Sequence, residues 1–293
     1  MWKYAVQILG GMVMVVSSVV SARAGDIPVY ELSVGEANIS VISLTQKDLQ
    51  AGILRAQSEE DREIIARAYP EGKVSNVLNV LLLRGRGVTA LVDTGYDWTA
   101  GTLDAALARA GVGPQDVTHV VITHAHGDHT GGLLRDGKAA FPSAELLFSE
   151  KELAFWTDPG RKAAASGGMR NIFDNVSTLL QAYGDRVRTF VPGDPVVPEL
   201  SGVLAVDESG HTPGHVGIMA EADGKTFLFW SDLLHAFDVQ AHSPSISASF
   251  DMDPEKAARV RRDMLNRAGT EGWLVVGSHV PFTQPRVLTK SDK

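Results

Sequence analysis

Between Thr123 and His129 the chain reads Thr-His-Ala-His-Gly-Asp-His, which places three imidazoles and one carboxylate within the six residues His124 to His129. Side chains of this kind converge where a loop wraps a metal ion. Neutral imidazole and carboxylate are the N and O donors that suit Zn²⁺ and its first-row neighbours. The apolar run Val117-Thr118-His119-Val120-Val121-Ile122 just before it reads as a buried strand, and Gly131-Gly132 just after it permits a tight turn. The histidines are therefore expected at a strand-to-loop junction, where a scaffold can hold them rigidly.

Further donors recur downstream in short motifs. These are Gly210-His211-Thr212-Pro213-Gly214-His215, Phe229-Trp230-Ser231-Asp232 and Val276-Gly277-Ser278-His279, with Leu91-Val92-Asp93-Thr94-Gly95 upstream. Together with the His124–His129 run they resemble, in order, the five motifs of the metallo-β-lactamase superfamily, over roughly residues 75 to 285. The resemblance implies an α/β fold, the αββα sandwich of two packed mixed sheets flanked by helices. It also implies a pair of divalent ions, zinc first, with manganese, iron or cobalt compatible with the same donors. By resemblance His124, His126 and His215 hold the first ion, Asp128, His129 and His279 the second, and Asp232 bridges both. Asp93 is expected to orient the metal loop rather than to bind metal, since outer carboxylates fix ligand imidazoles. His211 is expected to support the loop before His215. Taken alone, Asp232 also admits the lesser reading of a helix N-cap, because Ser231-Asp232 precedes Leu233-Leu234.

Composition narrows the setting. With 44% apolar and 21% charged residues, the chain is ordinary for a globular protein, and 293 residues suffice for one large core. There is no cysteine, so disulfides and thiolate ligands are excluded. A formal net charge of −8 without a Lys/Arg-rich run argues against nucleic acid as a partner. The N-terminus reads as an export signal: Lys3, then a largely apolar stretch from Ala5 to Val20, then Ala22-Arg23-Ala24 as a cleavage site. The expectation is a signal peptide over 1–24, a hydrolase domain over 25–293, a periplasmic or secreted product and no stable membrane anchor after cleavage. A homodimer is left open.

Periodicity fills in the elements. Residues 25 to 45 suggest two strands. Residues 46 to 73 read as a mobile or helical excursion. Val77 to Leu83 and Val88 to Val92 form a predicted hairpin, and Thr99 to Ala110 a helix. Helices are also expected over Glu150 to Trp156, Asn171 to Tyr183 and Pro254 to Ala268. Strands are expected over Val187 to Val191, Val203 to Val206, Val216 to Ala220, Thr226 to Trp230 and Leu274 to Gly277. Residues 157 to 170, rich in Gly, Ala, Ser and basic groups, read as a mobile lid.

Within the superfamily the chain resembles the methyl parathion hydrolase branch, with Ser231 where that branch has glycine. That resemblance implies an exported dinuclear hydrolase using a metal-bridging hydroxide on a small neutral substrate: a phosphotriester, aryl ester or lactone. An acyl-homoserine or other lactonase is the first alternative. A glyoxalase II-like thioesterase is disfavoured because few residues follow His279, and a β-lactamase because of Asp232. A non-catalytic metal-binding scaffold is disfavoured because the full ligand set is retained. Asp128, Asp232 and His235 are the candidate catalytic groups; His235 either faces substrate or packs in its loop. His119 is read as a core or supporting group and His242 as surface. Phe155, Trp156, Phe173 and Phe282 are the expected aromatic pocket lining.

Overall fold

The computed structural model describes residues 27–281 and 284–289. The expected signal segment, its cleavage site and Phe282 lie outside them. Two sheets account for the architecture. The first has seven strands in chain order: Val29–Val34, Ala37–Gln46, Val77–Gly85, Val88–Val92, His119–Ile122, Glu145–Ser149 and Val187–Phe190. Its first four strands pair antiparallel and the rest parallel. The second has five strands: Val203–Asp207, Val216–Ala222, Lys225–Phe229, Leu274–Val276 and Arg286–Val287.

Side-chain alternation builds the layers. Leu81 and Leu83 pack with Ile218, Phe227 and Phe229 in the core between the sheets. Val80 and Leu82 point the other way, onto Leu103, Leu107, Phe173 and Val176 of the helices Ala100–Arg109 and Gly167–Tyr183. Because strand side chains alternate with a period of two, one strand feeds both cores. The helix Pro254–Glu271 covers the second sheet through Met264, Leu265 and Ala268. Asp253 caps its first turn by accepting from Lys256 N at 2.9 Å, and Gly272 ends it in the left-handed region. The result is the expected αββα sandwich. No helix among the described residues is long and apolar enough to cross a membrane.

Residues 46–73 are structured. Leu54–Arg55 pairs with Ser247–Ala248, and the helix Glu59–Ala68 lies in a small third core with Val239 and Ile246. Buried Asp61 accepts from Ser243 Oγ at 2.6 Å and from Gln57 N at 2.9 Å, tying this excursion to the loop after Asp232. The expected lid at 157–170 contains the helix Pro159–Ala164, capped by Asp158, and the first turn of Gly167–Tyr183.

Leu103→Ala removes a fully buried side chain from the outer core. It should lower unfolding free energy by about 2–5 kcal/mol. Val191→Ala, at a position 49% exposed, should change it by less than about 0.5 kcal/mol. Urea denaturation of the two variants checks the layer assignment.

Candidate metal centre

The site lies at one end of the sandwich, where both sheets contribute loops. The first sheet supplies His124–His129 after its strand His119–Ile122. The second supplies the 208–215 loop, Ser231-Asp232 after Lys225–Phe229, and Ser278-His279 after Leu274–Val276. Backbone bonds join the sheets here: Val216 N donates to Thr123 O at 3.2 Å, and Asn79 N to Ser278 O at 2.9 Å.

Two groups of donor atoms form, and Asp232 belongs to both. In the first, His126 Nδ1 is 3.0 Å from both His124 Nε2 and His211 Nε2. Asp232 Oδ2 lies 3.3 Å from His211 Nε2 and 3.7 Å from His124 Nε2. In the second, His279 Nε2 is 3.1 Å from Asp128 Oδ2 and 3.2 Å from Asp232 Oδ2. His129 Nε2 is 3.3 Å from Asp232 Oδ1 and 3.7 Å from Asp128 Oδ2. At metal–ligand distances of about 2.1 Å, tetrahedral donors stand about 3.4 Å apart, so both groups have the spacing of a metal shell. His129 Nε2 and Asp232 Oδ1 are also buried without a hydrogen-bond partner. The residues fit a pair of divalent ions.

The first group also draws in His211, expected from the sequence as a support. His215 is adjacent: its ring centroid is 5.1 Å from that of His124, its Nδ1 donates to Glu208 O at 3.0 Å, and its Nε2 lies 3.3 Å from Asp232 N. The turn before His211 is tight: Gly210 has a φ of +140°, and a Cβ there would stand 2.4 Å from Ala257 N of the helix Pro254–Glu271. His211 Nδ1 donates to Asp251 Oδ1 at 2.9 Å, and Arg261 Nη2 reaches Asp251 Oδ2 at 3.3 Å. An imidazole anchored to a carboxylate through one nitrogen presents the other to a metal.

Asp93 has its expected supporting place. Oδ1 accepts from Thr123 N at 2.9 Å, while Oδ2 accepts from Thr123 Oγ1 at 2.8 Å and from His129 Nδ1 at 2.7 Å. Ser231 has a φ of +43°, in the left-handed region that favours glycine. Its Oγ is 2.9 Å from Thr123 Oγ1, a bond that offsets part of the strain.

Burial and neighbouring charge separate the protonation states. Burial alone would lower the pKa of His211, but hydrogen bonds to Asp232 and Asp251 push it up to about 9. His279 is likewise carried against burial to about 10 by Asp232 and Asp128. Burial holds His126 and His215 down at about 3, with cationic His211 adding to the effect in each. Asp232 is held well below the carboxylate range: burial opposes this, and His279, His129 and His124 overrule it.

A cavity of about 400 Å³ opens over both groups. Asp128, His126, Asp232, His279 and His235 line its floor, and Tyr96, Leu49, Met169, Ile172, Phe250 and Met252 its walls. His235 Nε2 is 3.2 Å from Asp232 Oδ2, its ring stacks on His279 at 5.0 Å, and its buried Nδ1 has no partner. His235 therefore faces the cavity.

The expected aromatic lining is corrected. Trp156 and Phe173 are buried in the outer core, and Phe155 packs beside them. Glu152 and Trp156 are one helical turn apart, and the Trp156 Nε1 bond to Glu152 draws the indole inward. Tyr96 and Phe250 serve instead. Tyr96 follows the Asp-Thr-Gly motif directly and lines the cavity beside Asp128. Phe250, 45% exposed in a serine-rich loop, went unnoticed; an isolated aromatic among small polar residues was the available signal. His119, half-buried at the opposite strand end, bonds Thr118 Oγ1 and takes no part, and His242 is exposed.

The chain belongs to the metallo-beta-lactamase superfamily, whose family profile matches residues 77–279. Metallo-beta-lactamase domain-containing protein 1 of Mus musculus is 54% identical over 59 residues, 20% of this chain and 21% of that protein. The chain thus spans about a fifth of that curated relative. Among solved structures, the hydrolase AbOPH of the beta lactamase superfamily aligns with a TM-score of 0.77 and 25% identity. The alignment covers 90% of this chain and 94% of that one. The dizinc quorum-quenching lactonase AidC, solved with a product, aligns with a TM-score of 0.76 and 21% identity over 88% and 92% of the two chains.

Metal uptake by the metal-free protein should be strongly pH-dependent. Ligation needs neutral imidazole, and His211 and His279 hold their protons to about 9 and about 10. Affinity should therefore rise from pH 6 to 9, with two or more protons released per chain near pH 7. Calorimetry in buffers of differing ionisation enthalpy measures this. The sign for metal-free stability is opposite. These raised pKa values stabilise the fold fully below the unfolded histidine value of about 6.5, and that stability is lost as pH rises through about 9.

Proposed function

We propose that the protein is an exported, dinuclear metal-dependent hydrolase of small neutral substrates: phosphotriesters, aryl esters or lactones. The observation that carries this reading is the pair of donor groups meeting at Asp232 on the floor of a cavity walled by apolar side chains. His124, His126, Asp232 and the imidazoles of the 208–215 loop, His215 with His211 beside it, would hold one ion, and Asp128, His129, His279 and Asp232 the other. When bound, such a pair supplies an activated water nucleophile and Lewis acidity toward a phosphoryl or carbonyl oxygen.

The remaining steps belong to the chain's own residues. The apolar walls exclude water and grip an uncharged substrate body. Tyr96 keeps its proton, because burial and the charges of Asp128 and Asp232 push its pKa up, so its hydroxyl is a donor at the cavity wall. His235, held neutral by burial, stands beside Asp232 with a free ring nitrogen. Its free nitrogen can take up the proton that the attacking water loses and return it to a departing alkoxide or phenoxide.

A preference for neutral substrates follows from the lining, which contains no Lys or Arg. The basic groups of 157–170 are engaged elsewhere: Lys162 Nζ lies 2.8 Å from Asp174 Oδ1 and Arg170 Nε 3.5 Å from Asp174 Oδ2. The lactonase alternative draws support from AidC, which has the same fold.

Elemental analysis of protein purified without chelators should give about two divalent ions per chain, as a two-metal site requires. Asp232→Asn should lose at least one ion and cut turnover by more than about 100-fold, beyond the loss typical of an outer-shell partner. Full turnover with both ions retained would reduce Asp232 to a helix cap. In a panel of an aryl phosphotriester, a simple lactone, an aryl phosphodiester and a cephalosporin, the two neutral compounds should be turned over fastest. A fastest phosphodiester or cephalosporin would overturn the substrate assignment. N-terminal mass analysis of exported material should find Gly25 first; a retained Met1 would remove the export proposal.

A further inference from the structure

We propose that Glu152 is a positioning residue that sets the spacing between the two loops carrying the imidazoles of the first donor group, and so governs that group's metal affinity. The inference rests on the metal reading above. Glu152 is fully buried, and its two oxygens divide their work. Oε1 accepts from Ala125 N at 2.9 Å and from Trp156 Nε1 at 2.7 Å. Oε2 accepts from Thr212 Oγ1 at 2.7 Å and from Gly214 N at 2.9 Å. Ala125 separates His124 from His126, and Thr212 directly follows His211. One carboxylate thus joins the first sheet's ligand loop to the second sheet's.

The clamp is itself held rigidly. Glu152 sits in the first turn of the helix Glu150–Thr157, where its own N–H donates to Ser149 Oγ at 3.2 Å. Ser149 Oγ in turn donates to Gly214 O at 2.6 Å. Gly214 leaves no slack, because a Cβ there would stand 2.2 Å from Glu152 N. Among the described residues no cation pairs with Glu152, so desolvation of this carboxylate is offset by its four donors alone. Tethering a loop would not need a carboxylate. Joining one loop through Ala125 N and the other through Thr212 Oγ1 and Gly214 N, with Trp156 Nε1 fixing the group from its own helix, needs four acceptor sites in one plane, and a carboxylate provides them.

Glu152→Gln keeps the shape and replaces one oxygen with NH₂. Turned one way, the amide opposes Gly214 N–H; turned the other, it opposes Ala125 N–H and Trp156 Nε1–H. Either way one loop is released. Thr212→Val removes a single donor and leaves the carboxylate in place, and Thr212→Ser should restore it.

The test is Co²⁺ titration of metal-free protein, followed by visible absorption and chelator competition, with thermal unfolding in parallel. Wild type should bind two ions. Glu152→Gln and Thr212→Val should weaken one of them by about 10–100-fold, the usual effect of losing an outer-shell partner. The other should stay near wild type, and Thr212→Ser should behave as wild type. If wild type binds fewer than two ions, the metal reading fails and this inference with it. If wild type binds two and both folded variants bind both ions with unchanged affinity, Glu152 is only structural, even when the melting temperature falls. If Glu152→Gln does not fold, the Thr212 pair decides.

Discussion

Desolvation governs this protein. Five imidazoles and two carboxylates crowd one end of the sandwich, and nearly all are out of water. Burying such groups costs several kcal/mol each unless every polar atom finds a partner. The fold meets that demand with a second set of buried acids. Asp93 holds His129 and the turn at Thr123, Asp251 holds His211, and Glu152 holds the two loops. Asp251 is steadied by Arg261, whose guanidinium also donates to the carbonyls of Leu233, Pro244 and Ile246. Strands supply the rigid base, but these hydrogen bonds aim the imidazoles.

The layered fold was legible because its signals are local. The near-continuous apolar run of Val77–Gly85, as befits a strand buried on both faces, and the helical stripe of Leu103, Ala106 and Leu107 each decide their own placement. The His124–His129 run was legible for the same reason, since its donors are neighbours in sequence. The approach of His211 to the same donors was not, because it depends on Asp251, forty residues later, holding its ring. The pocket lining failed similarly. Phe155 and Trp156 were expected in the lining, but Glu152 one turn earlier draws Trp156 into the core. Phe250 reaches the site only because 236–252 folds back over it, a tertiary event without a local signature.

The cavity's character follows from this loop traffic. Its floor comes from the strand ends of both sheets and is charged. Its walls come from four separate stretches, around Leu49, Tyr96, Met169 and Phe250, and are largely apolar. Segments outside the two large cores can change without disturbing the floor, so chemistry and specificity are carried by different parts of the chain. The excursion over 46–73 supplies Leu49 and is buttressed by Asp61 against Ser243 and Ser245. The site thus depends on a region that contributes no ligand.

The placement of donors on both sheets has a consequence for the molecule's mechanics. His124, His126, Asp128 and His129 leave from one sheet, while His211, Asp232 and His279 leave from the other. An ion held between them is a cross-link, functionally akin to a disulfide in a chain that has no cysteine. Whatever binds the native form alone raises its stability with the logarithm of concentration. The supply of free metal in the surroundings would then act as a thermostat on the fold: scarce metal would leave the two sheets joined by their apolar interface and by hydrogen bonds such as those of Glu152 and Asn79, and more easily parted by heat.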